Sequence, residues 1–184
     1  MRHVLSFLGI LLGLTLLTAC SSPPQTPPPV QPTASPAAQE TEIPVPAFDL
    51  KDAEGKPISF TPGTDDFTLL EVWAPTWFEQ SDEQFQRLQE IHERFGNRGV
   101  RVLCLAYETD PPRVRQAIQD HSALFDVALG EEATFDMLQL QSLPTTWILD
   151  RQGHPLQRLE GYQPLETLEK HLEEALSGPS EAEE

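Results

Sequence analysis

Sulfur is scarce in this chain. Its 184 residues hold two cysteines, Cys20 and Cys104, so no disulfide framework organises it. Positive charge is scarce as well: 12 lysines and arginines face 29 aspartates and glutamates, a formal net charge of −17. That balance argues against nucleic acid and against anionic lipid headgroups, which would repel it. It favours solubility, or a partner with basic patches. His92, His121, His154 and His171 are scattered without ligand spacing and no cysteine or carboxylate cluster joins them, so no metal site and no cofactor are expected. A Gly-rich phosphate loop and internal repeats are also missing. The apolar fraction, 39%, is low for a packed domain. The shortfall falls in a Pro-rich N-terminal stretch and an acidic C-terminal tail.

Long apolar runs are limited to one, Val4 to Leu17. It falls short of the roughly 20 residues that span a bilayer comfortably. Arg2 and His3 precede it, and Leu17-Thr18-Ala19-Cys20 ends it. A basic start, a short apolar stretch and small residues before a cut describe a secretory signal. The last four residues resemble the bacterial lipobox, which implies that residues 1–19 are removed and that Cys20 is lipidated at sulfur. The resemblance implies export to the cell envelope with a membrane contact through that lipid. Ser21, rather than aspartate, favours the outer membrane over retention in the inner one.

Residues 20–46 form the next segment. Half of the chain's 18 prolines fall there, and aromatics are absent. Such a segment buries too little apolar surface to offset its ordering entropy. It reads as an extended spacer of about 3.1 Å per residue. The last residues, 178–184, are small and acidic and read as a frayed tail.

Residues 47–177 carry the folded pattern. Ala47 to Leu50, a turn at Asp52 to Gly55 and Pro57 to Phe60 read as a hairpin. Phe67 to Trp73 and Val100 to Tyr107 are nearly continuous apolar runs, as in strands buried on both faces. Glu79 to Phe95 reads as an amphipathic helix with Phe85, Leu88, Ile91 and Phe95 on one side. Asp110 and Pro111 read as an N-cap and first helical residue, opening a helix with Val114, Ala117, Ile118 and His121 on one face. A short strand at Val127 to Leu129, a helix at Ala133 to Leu140, strands at 146–150 and 156–160 and a helix from Leu165 to Leu176 complete the order. The class is α/β: a mixed central sheet flanked by helices, with an N-terminal β-hairpin.

Four stretches together resemble the thioredoxin superfamily, in particular its membrane-tethered thiol–disulfide oxidoreductases of the TlpA and ResA type. They are the opening hairpin from Pro46, Glu71-Val72-Trp73-Ala74-Pro75-Thr76-Trp77, Leu143-Pro144-Thr145-Thr146-Trp147-Ile148-Leu149-Asp150 with Gly153, and the closing helix. The resemblance implies a thioredoxin-like fold over about residues 47–176. It places Pro144 at the family's cis-proline and Glu71 at its buried acid. Glu71, on a two-sided strand, is expected to be partly desolvated, which raises a carboxyl's pKa.

The departure is at the family's Cys-x-x-Cys. Trp77 is followed by Phe78-Glu79-Gln80-Ser81, so Phe78 and Ser81 occupy the cysteine positions. Disulfide exchange needs a thiolate to attack and a second thiol to resolve. Neither residue provides one, and no catalytic residue is expected here. Ser81 to Gln84 instead fits a capping box. Cys104, inside Val102 to Ala106, reads as a core hydrophobe. The family's loop binds extended substrate, so Trp77, Phe78, Leu143, Pro144 and Thr145 are candidates for a groove taking a protein or extended peptide by strand addition. The rival is a divergent oxidoreductase using Cys104 alone with an external thiol.

Overall fold

Residues 43–74, 81–107 and 110–178 are described in the structure, a computed structural model. All of them belong to the unit Gln39–Glu184, the second of two compact units in the chain. The chain order is β1 (Phe48–Lys51), β2 (Pro57–Phe60), β3 (Phe67–Trp73), α1 (Ser81–Phe95), β4 (Val100–Ala106), α2 (Pro111–Asp120), β5 (Asp126–Leu129), α3 (Glu132–Met137), β6 (Thr145–Asp150), β7 (Pro155–Glu160) and α4 (Leu165–Ser177).

The strands form one seven-stranded sheet in the order β2-β1-β5-β4-β3-β6-β7. β3, β4 and β5 are parallel, and every other neighbouring pair is antiparallel. From β3 to β4 to β5 the chain steps twice in one direction, so right-handed crossovers place α1 and α2 on the same face. Packing agrees: Phe85, Leu88 and Ile91 of α1, Val114 of α2 and Leu168 and Leu172 of α4 share a core with Leu69, Trp73, Val102 and Cys104. The other face buries Leu70, Val72, Leu103, Leu105, Trp147 and Leu149 against Leu50 and Phe60 of the hairpin and Leu138. Alternate residues of β3 and β4 therefore feed two cores. This is why both strands read as continuous apolar runs.

Two local expectations are corrected. Apolar spacing predicts a helix to Leu140, but α3 stops at Met137 and Gln139 takes a left-handed φ of 49°. Leu138 and Leu140 still meet the core, from a turn in which the Leu140 N–H donates to the Phe135 carbonyl. Burial alone thus mimicked a helical period. Asp110 is the N-cap residue and Pro111 the first helical one, as expected, without a capping bond from the Asp110 side chain. It pairs with Arg113 at 3.2 Å, and its backbone carbonyl accepts from the Arg113 and Val114 amides. The glutamine half of the capping box fails too. Ser81 is already helical, and Gln84 is buried with its amide turned to Glu71 and its Oε1 without a partner.

One glycine is required by close approach. The Gly130 amide donates to the Ala106 carbonyl, and a Cβ added there would lie 2.1 Å from Phe135 Cζ. Phe135 in turn packs on Tyr107, with ring centroids 4.7 Å apart.

Candidate functional site

The parallel strands deliver their C-terminal ends to one end of the sheet, where the loop into β6 also arrives. There the Leu143–Pro144 peptide is cis. Pro144 and Thr145 are buried, whereas Leu143 is half-buried. The loop is fixed by its neighbours. Gly161 N–H donates to the Pro144 carbonyl at 2.8 Å, and Thr145 Oγ1 donates to the Ser142 carbonyl at 2.7 Å. Thr145 is paired on both sides, with Val72 of β3 and Glu160 of β7. Among the described residues no backbone hydrogen bond engages Leu143. Of two large exposed side chains at this end of the sheet, Tyr162 adjoins the loop through the Gly161–Pro144 bond. Tyr107 follows β4, its amide bonded to the Trp73 carbonyl, and Tyr162 follows β7.

Beneath the loop lies a charged cluster that the sequence did not assemble. Glu71 has no exposed surface. Its carboxylate accepts four hydrogen bonds: two from Arg87 Nη2 at 2.9 and 2.8 Å, one from Gln84 Nε2 at 3.2 Å and one from Thr146 Oγ1 at 2.8 Å. Arg87 is itself buried, and its guanidinium packs under the Tyr162 ring, 4.9 Å from the centroid. The acid is desolvated and its oxygens are satisfied. Glu71 is a paired acid, because α1 brings a cation into the same buried space. The signal was present as Gln84 and Arg87, polar residues one helical turn apart beside Phe85 and Leu88. Nothing in the sequence alone tied them to β3.

Cys104 stands beside this pair. Its register partner on β3 is Glu71, whose register partner on β6 is Thr146, so the three form one row across the sheet. Cys104 is fully buried. Burial pushes its thiol well above the ordinary range; the Glu71 carboxylate adds to this, and Arg87 opposes it. A thiol so placed remains protonated at neutral pH, and a nucleophile needs the thiolate.

Tyr162 links the cluster to the surface. It is 39% exposed, with the Glu83 carboxylate near its phenol. Partial burial raises its phenol, Arg87 lowers it, and Glu83 raises it further. Cys20, Trp77 and Phe78 lie outside the described residues, as does the side chain of Ser81. Among the described residues no group of three or more His, Cys, Asp or Glu side chains could hold a metal. A cleft of about 880 Å³, lined by Phe67, Arg98, Asp150, Arg151 and His171, sits at the opposite end of the sheet. It shares no residue with the cis-proline loop.

Comparison with known proteins places this geometry. A thiol-disulfide oxidoreductase ResA from Bacillus thuringiensis subsp. konkukian is 24% identical over 131 residues, covering 69% of this chain and 73% of the relative. A solved structure from Chlorobium tepidum, described as a putative thiol:disulfide interchange protein DsbE, superposes with a TM-score of 0.66 at 22% identity, covering 73% of this chain and 96% of that one. A putative thioredoxin from Neisseria meningitidis superposes with a TM-score of 0.65 at 26% identity, covering 76% of this chain and 93% of that one. The fold is thioredoxin-like, of the TlpA and ResA type. The AhpC/TSA family model matches residues 42–154, and with the sheet order and cis-proline loop already in place, the chain belongs to that family.

Proposed function

We propose that this chain is a redox-silent thioredoxin-like module of the bacterial envelope, tethered by a lipid at Cys20, that binds an extended segment of another protein at its cis-proline loop. One observation carries the reading. Phe78 and Ser81 stand at the family's cysteine positions, and the folded part's one sulfur nucleophile, Cys104, is buried, protonated and beside a carboxylate. Disulfide exchange requires an accessible thiolate and a second thiol to resolve the product. Neither requirement is met by Cys104. The binding half is supported by the half-buried Leu143, whose backbone carries no hydrogen bond among the described residues, near the exposed Tyr162. An extended chain adding there would satisfy those groups as a strand does. The lipid tether rests on Leu17-Thr18-Ala19-Cys20, and Ser21 favours the outer membrane.

The second reading, a thiol–disulfide oxidoreductase, is favoured by the name of the relatives. It needs Cys104 to open to solvent and an external thiol to resolve it. The purified mature chain in an insulin-reduction assay separates the two. The expected outcome is turnover no faster than Cys104→Ala. Turnover that Cys104→Ala abolishes would establish the enzyme reading instead.

A further inference from the structure

The loop that carries Leu143 is gripped from β7, on the sheet face away from α1. It starts at the end of α3, where the Gln139 N–H donates to the Asp136 carbonyl and the Leu140 N–H to the Phe135 carbonyl, each at 3.0 Å. Such a doubly bonded helix end usually has glycine at its left-handed residue. Here that residue is Gln139, at φ 49°. A side chain is disfavoured in this region because its Cβ crowds the following carbonyl. Arg158 offsets the cost. Its Nη2 donates to the Gln139 carbonyl at 2.8 Å, and its guanidinium lies over the ring of Trp147, its register partner on β6, 5.6 Å from the centroid. Glu160 Oε1 stands 3.4 Å from the same Nη2, and its Oε2 accepts from Ser142 Oγ at 3.3 Å. Two side chains of β7 thus hold residues 139 and 142. Leu138, Leu140 and Leu143 pack into one core with Trp147 beside this grip.

We infer that Arg158 is a positioning residue of the binding loop: by fixing the Gln139 turn it sets the backbone of Leu143, which the partner's extended segment meets, without touching that segment itself. The inference rests on the binding reading above and adds to it a residue on the far face of the sheet. Without the grip the turn opens, and a partner must order residues 139–143 as it binds, which lowers affinity.

The probe is a fluorescein-labelled nonapeptide of alternating threonine and valine, whose binding to the full mature chain is read by anisotropy. Backbone order parameters from nitrogen-15 relaxation are measured on the same proteins, because they report the native loop and do not follow overall stability. In R158M the order parameters of residues 139–143 should fall from about 0.85 to below about 0.6, while those of β4 stay rigid. The peptide should bind R158M about fivefold more weakly. R158K keeps a donor for the Gln139 carbonyl and should bring affinity back to within about twofold of the parent. Q139G/R158M should do the same, within about twofold, because glycine takes a left-handed φ without strain. A loop that stays rigid in R158M overturns the grip. A loosened loop with unchanged affinity overturns the positioning role and leaves the groove standing. Affinity that R158M loses and Q139G/R158M does not regain shows Arg158 touching the peptide, which also overturns the positioning role. Failure of the parent chain to bind the peptide overturns the groove reading, and the positioning role with it, whatever the loop does in R158M.

Discussion

Replacing Arg87 by methionine tests the cluster beneath the loop. Methionine preserves most of the stem's volume and helix propensity while deleting the guanidinium. Glu71 would then keep its bonds from Gln84 and Thr146 but lose both from Arg87, which are 2.9 and 2.8 Å long in a fully buried setting. Removing one partner of a buried pair leaves an uncompensated charge and costs about 3–5 kcal/mol. Loss of the contact under Tyr162 adds about 0.5–1 kcal/mol. For a domain of ordinary stability, about 5–15 kcal/mol, this is a large fraction.

The assay is urea unfolding of the mature chain. With a slope of about 2 kcal/mol per molar, the midpoint should fall by about 2 M. The double variant Glu71→Gln/Arg87→Met should recover most of the loss, because the amide still accepts from Thr146 and no charge remains buried. Recovery to within about 1–2 kcal/mol of the parent is expected, since the buried pair itself contributes little net stability. Among the described residues Arg87 Nε and Nη1 have no hydrogen-bond partners, which limits what the pair returns for its desolvation. A loss below about 1 kcal/mol for Arg87→Met would refute the reasoning, since a buried carboxylate cannot lose its only cation so cheaply. A double variant as weak as the single would also refute it.

Three further outcomes follow from the same geometry. Thr146→Val, nearly isosteric, removes the donor at 2.8 Å from Glu71 and should lower stability by about 1.5–3 kcal/mol in the same urea assay. Gly130→Ala forces a Cβ against Phe135 and should cost about 1–3 kcal/mol, visible as a lower Tm; an unchanged Tm would show that the ring moves aside freely. Cys104 should resist alkylation by iodoacetamide in the folded chain and react once urea unfolds it. Its raised thiol also fixes a pH dependence. Below the unfolded thiol's value of about 8.5 both states hold the proton; above it only the unfolded state releases one, so stability should fall as pH rises from about 8 to 9.5. Cys104→Ala should remove that slope whatever its offset in stability.

Most of the fold was legible because burial leaves a direct trace in sequence. Phe67 to Trp73 was readable as a strand to the residue, since two-sided burial enforces an unbroken apolar run. The face of α1 was readable from Phe85, Leu88, Ile91 and Phe95, which recur at helical spacing. Where burial and helical period coincided without a helix, at Leu138 and Leu140, the pattern misled. The site was legible only in part. The cis bond before Pro144 and the place of Glu71 came from resemblance to a family. Arg87 and Tyr162 were hidden, because their meeting with Glu71 depends on α1 packing over β3 and on the turn after β7. Both are tertiary facts with no local signature.

The paired acid and the missing thiols belong to one argument. Glu71 has its oxygens engaged by three side chains from two elements, so moving a proton through it would mean breaking bonds that pin the start of α1 to β3 and β6. The same bonds hold the strand that begins at Thr145, directly after the cis peptide, and through Tyr162 they hold the loop beside it. The bonds that engage Glu71 therefore also brace the loop. On the proposed binding reading, a braced loop would lose little freedom when a partner pairs with it, which strengthens binding without any new contact. On the proposed reading, the cluster beneath the loop serves as support for its shape.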